Sequence, residues 1–291
     1  MSARRTVAGV ASIEGFGLFT DAPARLEVLP AEPGAGIRLG RAGAQGVARI
    51  DRLTVQPAHP AFKSTPARCT GVDLSDRTPV FTIEHVLSAL AGLGITDVVL
   101  NLEGPEMPIV DGSALPFIHA IERVGTRDLP GRLEVQVLEN PIVVGDPLGV
   151  RVELTPAHRL SMHFHLDYGP GSPIPRQSAQ WDGSGTCYRE QIAPARTYCL
   201  LQEAEAMRNL GLFARLTTTD FVVFGPSGPI ENTLRWHDEP ARHKLLDLIG
   251  DLALSGLPFP GMRVEAFGSG HALHHQAALA LHAARRREGT V

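Results

Sequence analysis

Only three cysteines occur in 291 residues, Cys69, Cys187 and Cys199, and none stand in Cys-x-x-Cys spacing. An odd, scattered set argues against a disulfide framework and a cysteine zinc site, and it fits a reducing compartment. No stretch approaches the roughly 18 consecutive apolar residues that a membrane-spanning helix needs. The opening MSARRTVAGVASIEGFGLF holds two arginines, but glycines and Glu14 break its apolar run, so it does not read as a secretory signal. Basic runs are also missing until Arg285-Arg286-Arg287, and a net charge of −4 gives no footing for nucleic acid. That triplet ends an alanine-rich helical stretch, where cations suit the helix dipole, and it reads as a solvated last turn. What remains is an ordinary soluble composition, 43% hydrophobic and 20% charged, long enough for one large domain or two of usual size.

Residues 1–60 alternate short apolar runs with Gly and Pro, as in Ala24–Leu29 and Val47–Ile50, the texture of strands and turns. A helical period covers about 82–93, with Thr82 as the expected N-cap, and a buried strand follows at 97–102. A second helix is expected over about 113–124. The stretch 125–132 then lapses into polar and turn residues, a candidate boundary between halves. Strand patterns resume at 133–138, 149–154 and 161–166, and the Gly-, Pro- and Ser-rich stretch 167–186 reads as a long loop. Helical periods return at about 198–210, 239–255 and 271–287. Strands followed by helices in each half indicate α+β layering. No sequence repeat proves a duplication.

The chemistry concentrates in the run Asp238 to Leu252. Asp238 is placed to cap, and Pro240 is tolerated only in a first turn, so the helix start is well defined. His243, Asp247 and Asp251 then fall at i, i+4 and i+8 on one face, with Gly250 beside them. Leu245, Leu248, Ile249 and Leu252 fill the rest of the circumference. A narrow ionisable stripe on an apolar helix points inward, and buried charge needs a metal or a partner. A His and a carboxylate one turn apart can share a zinc ion, although an exposed His243–Asp247 surface pair would have the same spacing. A catalytic zinc takes three protein ligands and keeps an open position. Glu84-His85 offers a third ligand, because adjacent helical residues point about 100° apart. His85 would then bind metal while Glu84 serves as general base. Gly268-Ser269-Gly270-His271 opens the last helix, where His271 is either a general acid or an exposed histidine after a glycine turn. His274 and His275 read as surface. His163 and His165 alternate on one strand and form a rival metal pair without a carboxylate stripe of their own.

Five segments together carry a resemblance. They are Thr82–His85 with Ser88–Ile95, Pro105–Ala114, Ala195-Arg196-Thr197, Asp238–Leu252, and Ser269–Leu273. In order and spacing they resemble the UDP-3-O-acyl-N-acetylglucosamine deacetylase family, the zinc hydrolases of the committed step of lipid A biosynthesis. The resemblance implies an α+β fold of two similar domains, 1–127 and 131–291, each a sheet layered on two helices with the active site between them. It implies that His85, His243 and Asp247 bind one Zn2+ per chain, with Fe2+ suited to the same ligand set. It further implies Glu84 as general base, His271 as general acid with Asp251 orienting it, Thr197 on the oxyanion and Lys244 on the nucleotide phosphates. The implied partner is the UDP-linked acylated glucosamine alone, met by a cytoplasmic monomer. Four places depart from the family pattern, among them the loop at 167–178 and His274, which stands where the family has an asparagine. Phe19 replaces a histidine in Gly15–Asp21, and the bulkier run Phe213–Asp220 stands where small residues line the acyl passage. These departures keep two alternatives in view, the same chemistry on another acyl length or N-acetylated sugar nucleotide, and a non-catalytic UDP-sugar binder.

Overall fold

The computed structural model describes residues 2–54, 56–58, 68–133, 137–218 and 220–288. Its first half runs through β1 (Ser2–Val7), β2 (Ala11–Phe16), β3 (Pro23–Pro30), β4 (Ile37–Arg41), β5 (Ala44–Val47), β6 (Gly71–Asp73) and β7 (Pro79–Phe81). Then follow α1 (Glu84–Gly92), β8 (Val98–Glu103), α2 (Leu115–Val124) and β9 (Thr126–Leu133). The second half contains β10 (Ile142–Gly145), β11 (Arg151–Pro156), β12 (Ser161–Leu166), β13 (Gln177–Trp181) and the one-turn α3 (Gly185–Cys187). It continues with β14 (Tyr198–Leu200), α4 (Leu201–Asn209), β15 (Val222–Gly225), β16 (Gly228–Pro229), α5 (Glu239–Ala253), β17 (Met262–Phe267) and α6 (His271–Glu288).

The layering is α+β, and two five-stranded sheets share one topology. The first has the order β2-β3-β8-β4-β5 and the second β10-β11-β17-β12-β13. In each, the strand that arrives last takes the centre, antiparallel to one neighbour and parallel to the other. Each sheet also sends one helix before its central strand and one after it. The sequence carries no repeat to announce this, because a shared backbone path needs only the same alternation of buried and open positions, not the same residues. β12 shows that alternation directly: Met162, Phe164 and Leu166 are buried, while Ser161, His163 and His165 are half-buried on the other face.

The equivalent helices α1 and α5 pack directly on each other between the sheets. α1 is buried at nearly every position, Glu84 and His85 included, so it has no solvent face to balance. Gly250 of α5 makes the close approach work. A Cβ there would lie 2.0 Å from the carbonyl oxygen of Glu84. A satellite apolar cluster of Phe19, Ile109, Met207, Phe213 and Phe221 forms beside α4, at one end of the main core.

Several local expectations differ from the structure. Thr82 does not cap α1. Its backbone is left-handed, φ 58°, and its hydroxyl donates to Glu106 Oε1 at 2.6 Å. Asp238 makes no capping bond either; its carboxylate accepts from Arg242 Nε at 2.8 Å. In both cases a tertiary or side-chain partner outcompetes the local backbone N–H. The stretch 125–132 is largely β9, an exposed strand paired with β1. The expected loop 167–186 contains β13, which pairs with β12. Of the strand expected at 133–138, residues 134–136 lie outside the described residues. In the arginine triplet, Arg285 is half-buried and donates to the Gly256 carbonyl at 2.6 Å, and the side chains of Arg286 and Arg287 lie outside the described residues. No helix among the described residues is long and apolar enough to cross a membrane.

Candidate metal centre and active site

The N-terminus of α1, one face of α5 and the first turn of α6 converge on a single cavity of about 250 Å³. His85 reaches it from α1, His243 and Asp247 from α5, and their ligand-capable atoms all lie within 4.8 Å of one another. His243 Nε2 is 3.3 Å and His85 Nε2 3.6 Å from the same oxygen, Asp247 Oδ1. Two of the trio's other polar atoms are already committed. His243 Nδ1 donates to the Ala195 carbonyl at 3.1 Å, which fixes the tautomer and leaves Nε2 free for a ligand. Asp247 Oδ2 accepts from Lys244 Nζ at 2.9 Å, which leaves Oδ1 free. All three residues are buried. Two imidazole nitrogens and one carboxylate oxygen, converging with a cavity in front, form the donor set of a catalytic metal with an open position. Burial holds His243 near 3, so its imidazole is neutral at pH 7, as a ligand must be. Burial works to raise the Asp247 pKa, but the Lys244 ammonium and a hydrogen bond from His85 outweigh it and hold the carboxyl well below the usual carboxylate range.

Beside this trio stand an acid and a base in opposed environments. Glu84 is 3% exposed and accepts a backbone N–H from Thr70 at 3.1 Å. Burial pushes its carboxyl up to about 7, against the pull of His271 and His85. His271 Nδ1 donates to Asp251 Oδ2 at 2.8 Å, which turns Nε2 toward Asp247. Burial alone would lower the His271 pKa, but Asp251 outweighs it through charge and hydrogen bond and holds it at about 9. Both groups shift upward together, so between about pH 7 and pH 9 Glu84 is a carboxylate while His271 is an imidazolium, the protonation states that a base and an acid require. Thr197 and Lys244 also line the cavity, whereas Asp251 is fully buried behind His271. The segment carrying Thr197 is pinned by Arg196, whose guanidinium meets Glu239 of α5 at 2.8 and 3.1 Å, and both partners are buried.

All eight residues singled out from the sequence therefore come together, seven on the cavity and Asp251 one layer behind. Three more were not anticipated. His274 and His275, expected at the surface, are buried, and His274 Nδ1 bonds Asp251 Oδ2 at 2.8 Å. A signal existed: three and four residues after His271 they share its helix face. Thr70 carried no signal. Its hydroxyl donates to Asp251 Oδ1 and lies 2.8 Å from His275 Nε2, contacts that only the tertiary fold creates.

A sequence profile of the UDP-3-O-acyl N-acetylglycosamine deacetylase family matches residues 4–283. The chain belongs to that family. This membership covers the whole two-sheet unit with the cavity at its centre, and it makes the protein a hydrolase of the deacetylase class. Among its relatives, the UDP-3-O-acyl-N-acetylglucosamine deacetylase of Anaeromyxobacter sp. (strain Fw109-5) is 36% identical over 279 residues, 93% of this chain and 86% of that protein. The one from Thermosynechococcus vestitus is 34% identical over 282 residues, 96% and 93% of the two chains. That of Myxococcus xanthus is 33% identical over 280 residues, 94% and 84%.

Proposed function

We propose that this deacetylase hydrolyses the N-acetyl group of a UDP-3-O-acyl-N-acetylglucosamine, releasing acetate and the free amine, as the committed step of lipid A biosynthesis. The observation that carries the proposal is that buried Glu84 and His271 line the same cavity as the converging His85, His243 and Asp247. His85, His243 and Asp247 would hold a zinc ion, which would supply Lewis acidity toward the acetamide carbonyl and lower the pKa of water toward neutrality. Glu84 removes the proton from the attacking water. Thr197 donates its hydroxyl to the oxygen of the former carbonyl as charge develops on it. His271 delivers a proton from Nε2 to the leaving nitrogen, and Asp251, hydrogen-bonded to Nδ1, keeps the ring oriented and charged. Lys244 Nζ sits at the cavity wall beside Asp247, and its ammonium is the group assigned to a phosphate of the nucleotide. The same reading takes 1–127 and 131–291 as two domains that contribute ligands to one ion, in a monomeric cytoplasmic enzyme.

Glu84→Ala tests the mechanism. Acetate release from the UDP-3-O-(3-hydroxyacyl)-N-acetylglucosamine should fall by about 10²- to 10⁴-fold while one metal stays bound per chain. Full turnover in that variant would sink the assignment. A second reading keeps the chemistry and changes the acyl length. Phe213 packs against Phe19 at 6.2 Å and Phe221 at 5.2 Å between ring centroids, so three aromatic rings form the apolar end of the cavity. Turnover compared across acyl lengths decides between them, since a strong preference for the long chain rejects the shorter one.

A further inference from the structure

The second sheet carries another convergence of metal-ligating side chains, on the face turned away from α5 and α6. In β12 the inward residues Met162, Phe164 and Leu166 are buried, and Phe164 meets His274 of α6 edge-on at 6.2 Å. The alternation therefore turns His163 and His165 outward. β17 lies parallel to β12 with Glu265 directly opposite His163. Glu265 Oε2 is 2.7 Å from His165 Nε2 and 3.5 Å from His163 Nδ1, and the three ligand-capable atoms lie within 4.8 Å of one another. We propose that His163, His165 and Glu265 form a second, solvent-accessible site for a first-row divalent cation of the zinc, copper or nickel type, separate from the catalytic centre.

Three features support a built site over a surface ion pair. Two imidazoles converge on the one oxygen Glu265 Oε2, with their ring centroids 4.1 Å apart. The His165 ring is stacked flat on Phe267, centroids 4.6 Å apart and 8° between planes, so its nitrogen is already aimed. Arg263 Nε holds the other carboxylate oxygen, Glu265 Oε1, at 2.8 Å and leaves Oε2 facing the histidines. Such outer partners orient first ligands at metal centres. Ligands about 2.0–2.2 Å from one ion stand about 3.3 Å apart in a tetrahedral arrangement, so the His165–Glu265 contact has to open only slightly. A groove of about 270 Å³ runs beside His163 and Glu265 and leaves room for water on the ion. Imidazole with one carboxylate favours zinc, copper or nickel over calcium or magnesium. Arg263 offsets part of the Glu265 charge, which makes this site the weaker of the two.

The test is a cobalt(II) titration of metal-stripped full-length protein, followed by visible absorption and equilibrium dialysis. Wild type should bind two equivalents, the first tight and the second weaker. His163→Ala/His165→Ala should lose the weaker one and keep acetate release at wild-type level, while His243→Ala should lose the tight one and keep the weaker. A single equivalent in wild type overturns the proposal, as does a second equivalent that survives the double substitution. If the double variant fails to fold, paramagnetic copper(II) added to wild type should broaden the His163 and His165 imidazole resonances selectively, and their persistence overturns the site. Because the outer count is read without substrate, its failure is distinguishable from failure of the deacetylase mechanism.

Discussion

Thr70 touches both sides of the proposed acid–base pair. Its backbone N–H donates to Glu84, and its hydroxyl sits among Asp251, His275 and, at 3.4 Å, His271 Nδ1. Thr70→Val keeps the shape and removes the hydroxyl, which leaves buried acceptors unpaired at about 1–3 kcal/mol. We expect kcat to fall roughly tenfold to a hundredfold with KM and metal content unchanged, and Thr70→Ser to restore most of the loss; steady-state kinetics on both variants checks this. The pH profile follows from two opposite requirements. In the proposed mechanism Glu84 must be deprotonated to act, so the rate rises with pH through its pKa, and His271 must be protonated, so the rate falls above its own. Their values of about 7 and about 9 set the order of the limbs. A divalent cation close by favours the carboxylate and disfavours the imidazolium, so both limbs move to lower pH when metal is bound. A bell in kcat/KM with its rising limb below about 7 is the expected outcome, and a profile that rises without a falling limb contradicts the role of His271.

Among the elements, α1 and α5 depend on one missing side chain. Gly250→Ala drives a methyl into the Glu84 backbone, and no flexible side-chain end is there to yield. The substitution should cost about 1–3 kcal/mol in urea unfolding and should lower turnover as well, because it displaces the helix that carries Glu84 and His85. A stable and fully active variant would mean that the helices separate freely at this point. α5 was legible from its sequence because a stripe at i, i+4 and i+8 is a local property of one helix. Its cap was not, since Asp238 found Arg242 instead of a backbone N–H. β13 was hidden for a similar reason. Its Gly-, Pro- and Ser-rich surroundings resemble a loop, and its strand character comes from pairing with β12.

At the scale of the whole molecule, the candidate ligands come from both halves of the chain, His85 from α1 and His243 and Asp247 from α5. An ion at that point ties the halves together and stabilises only the folded protein. Chelation should therefore abolish acetate release and lower Tm. The effect should be large, because saturation a thousandfold above Kd stabilises by about 4 kcal/mol. Added zinc should restore both, and Glu84→Ala should show the same metal-dependent rise in Tm with no recovery of turnover. Calorimetry on the stripped and reloaded proteins separates the two effects. The sequence by itself determined the α+β class, the ionisable face of α5, the Glu84-His85 pair and the family, because each is written in local spacing or in motifs of adjoining residues. Only the tertiary structure decided that Thr70, His274 and His275 surround Asp251, that the two sheets share one topology, and that Glu265 stands beside His163 and His165. His165 and Glu265 are 100 residues apart in the chain. They meet because β17 enters the sheet next to β12, and strand order is a property of packing that no local period records.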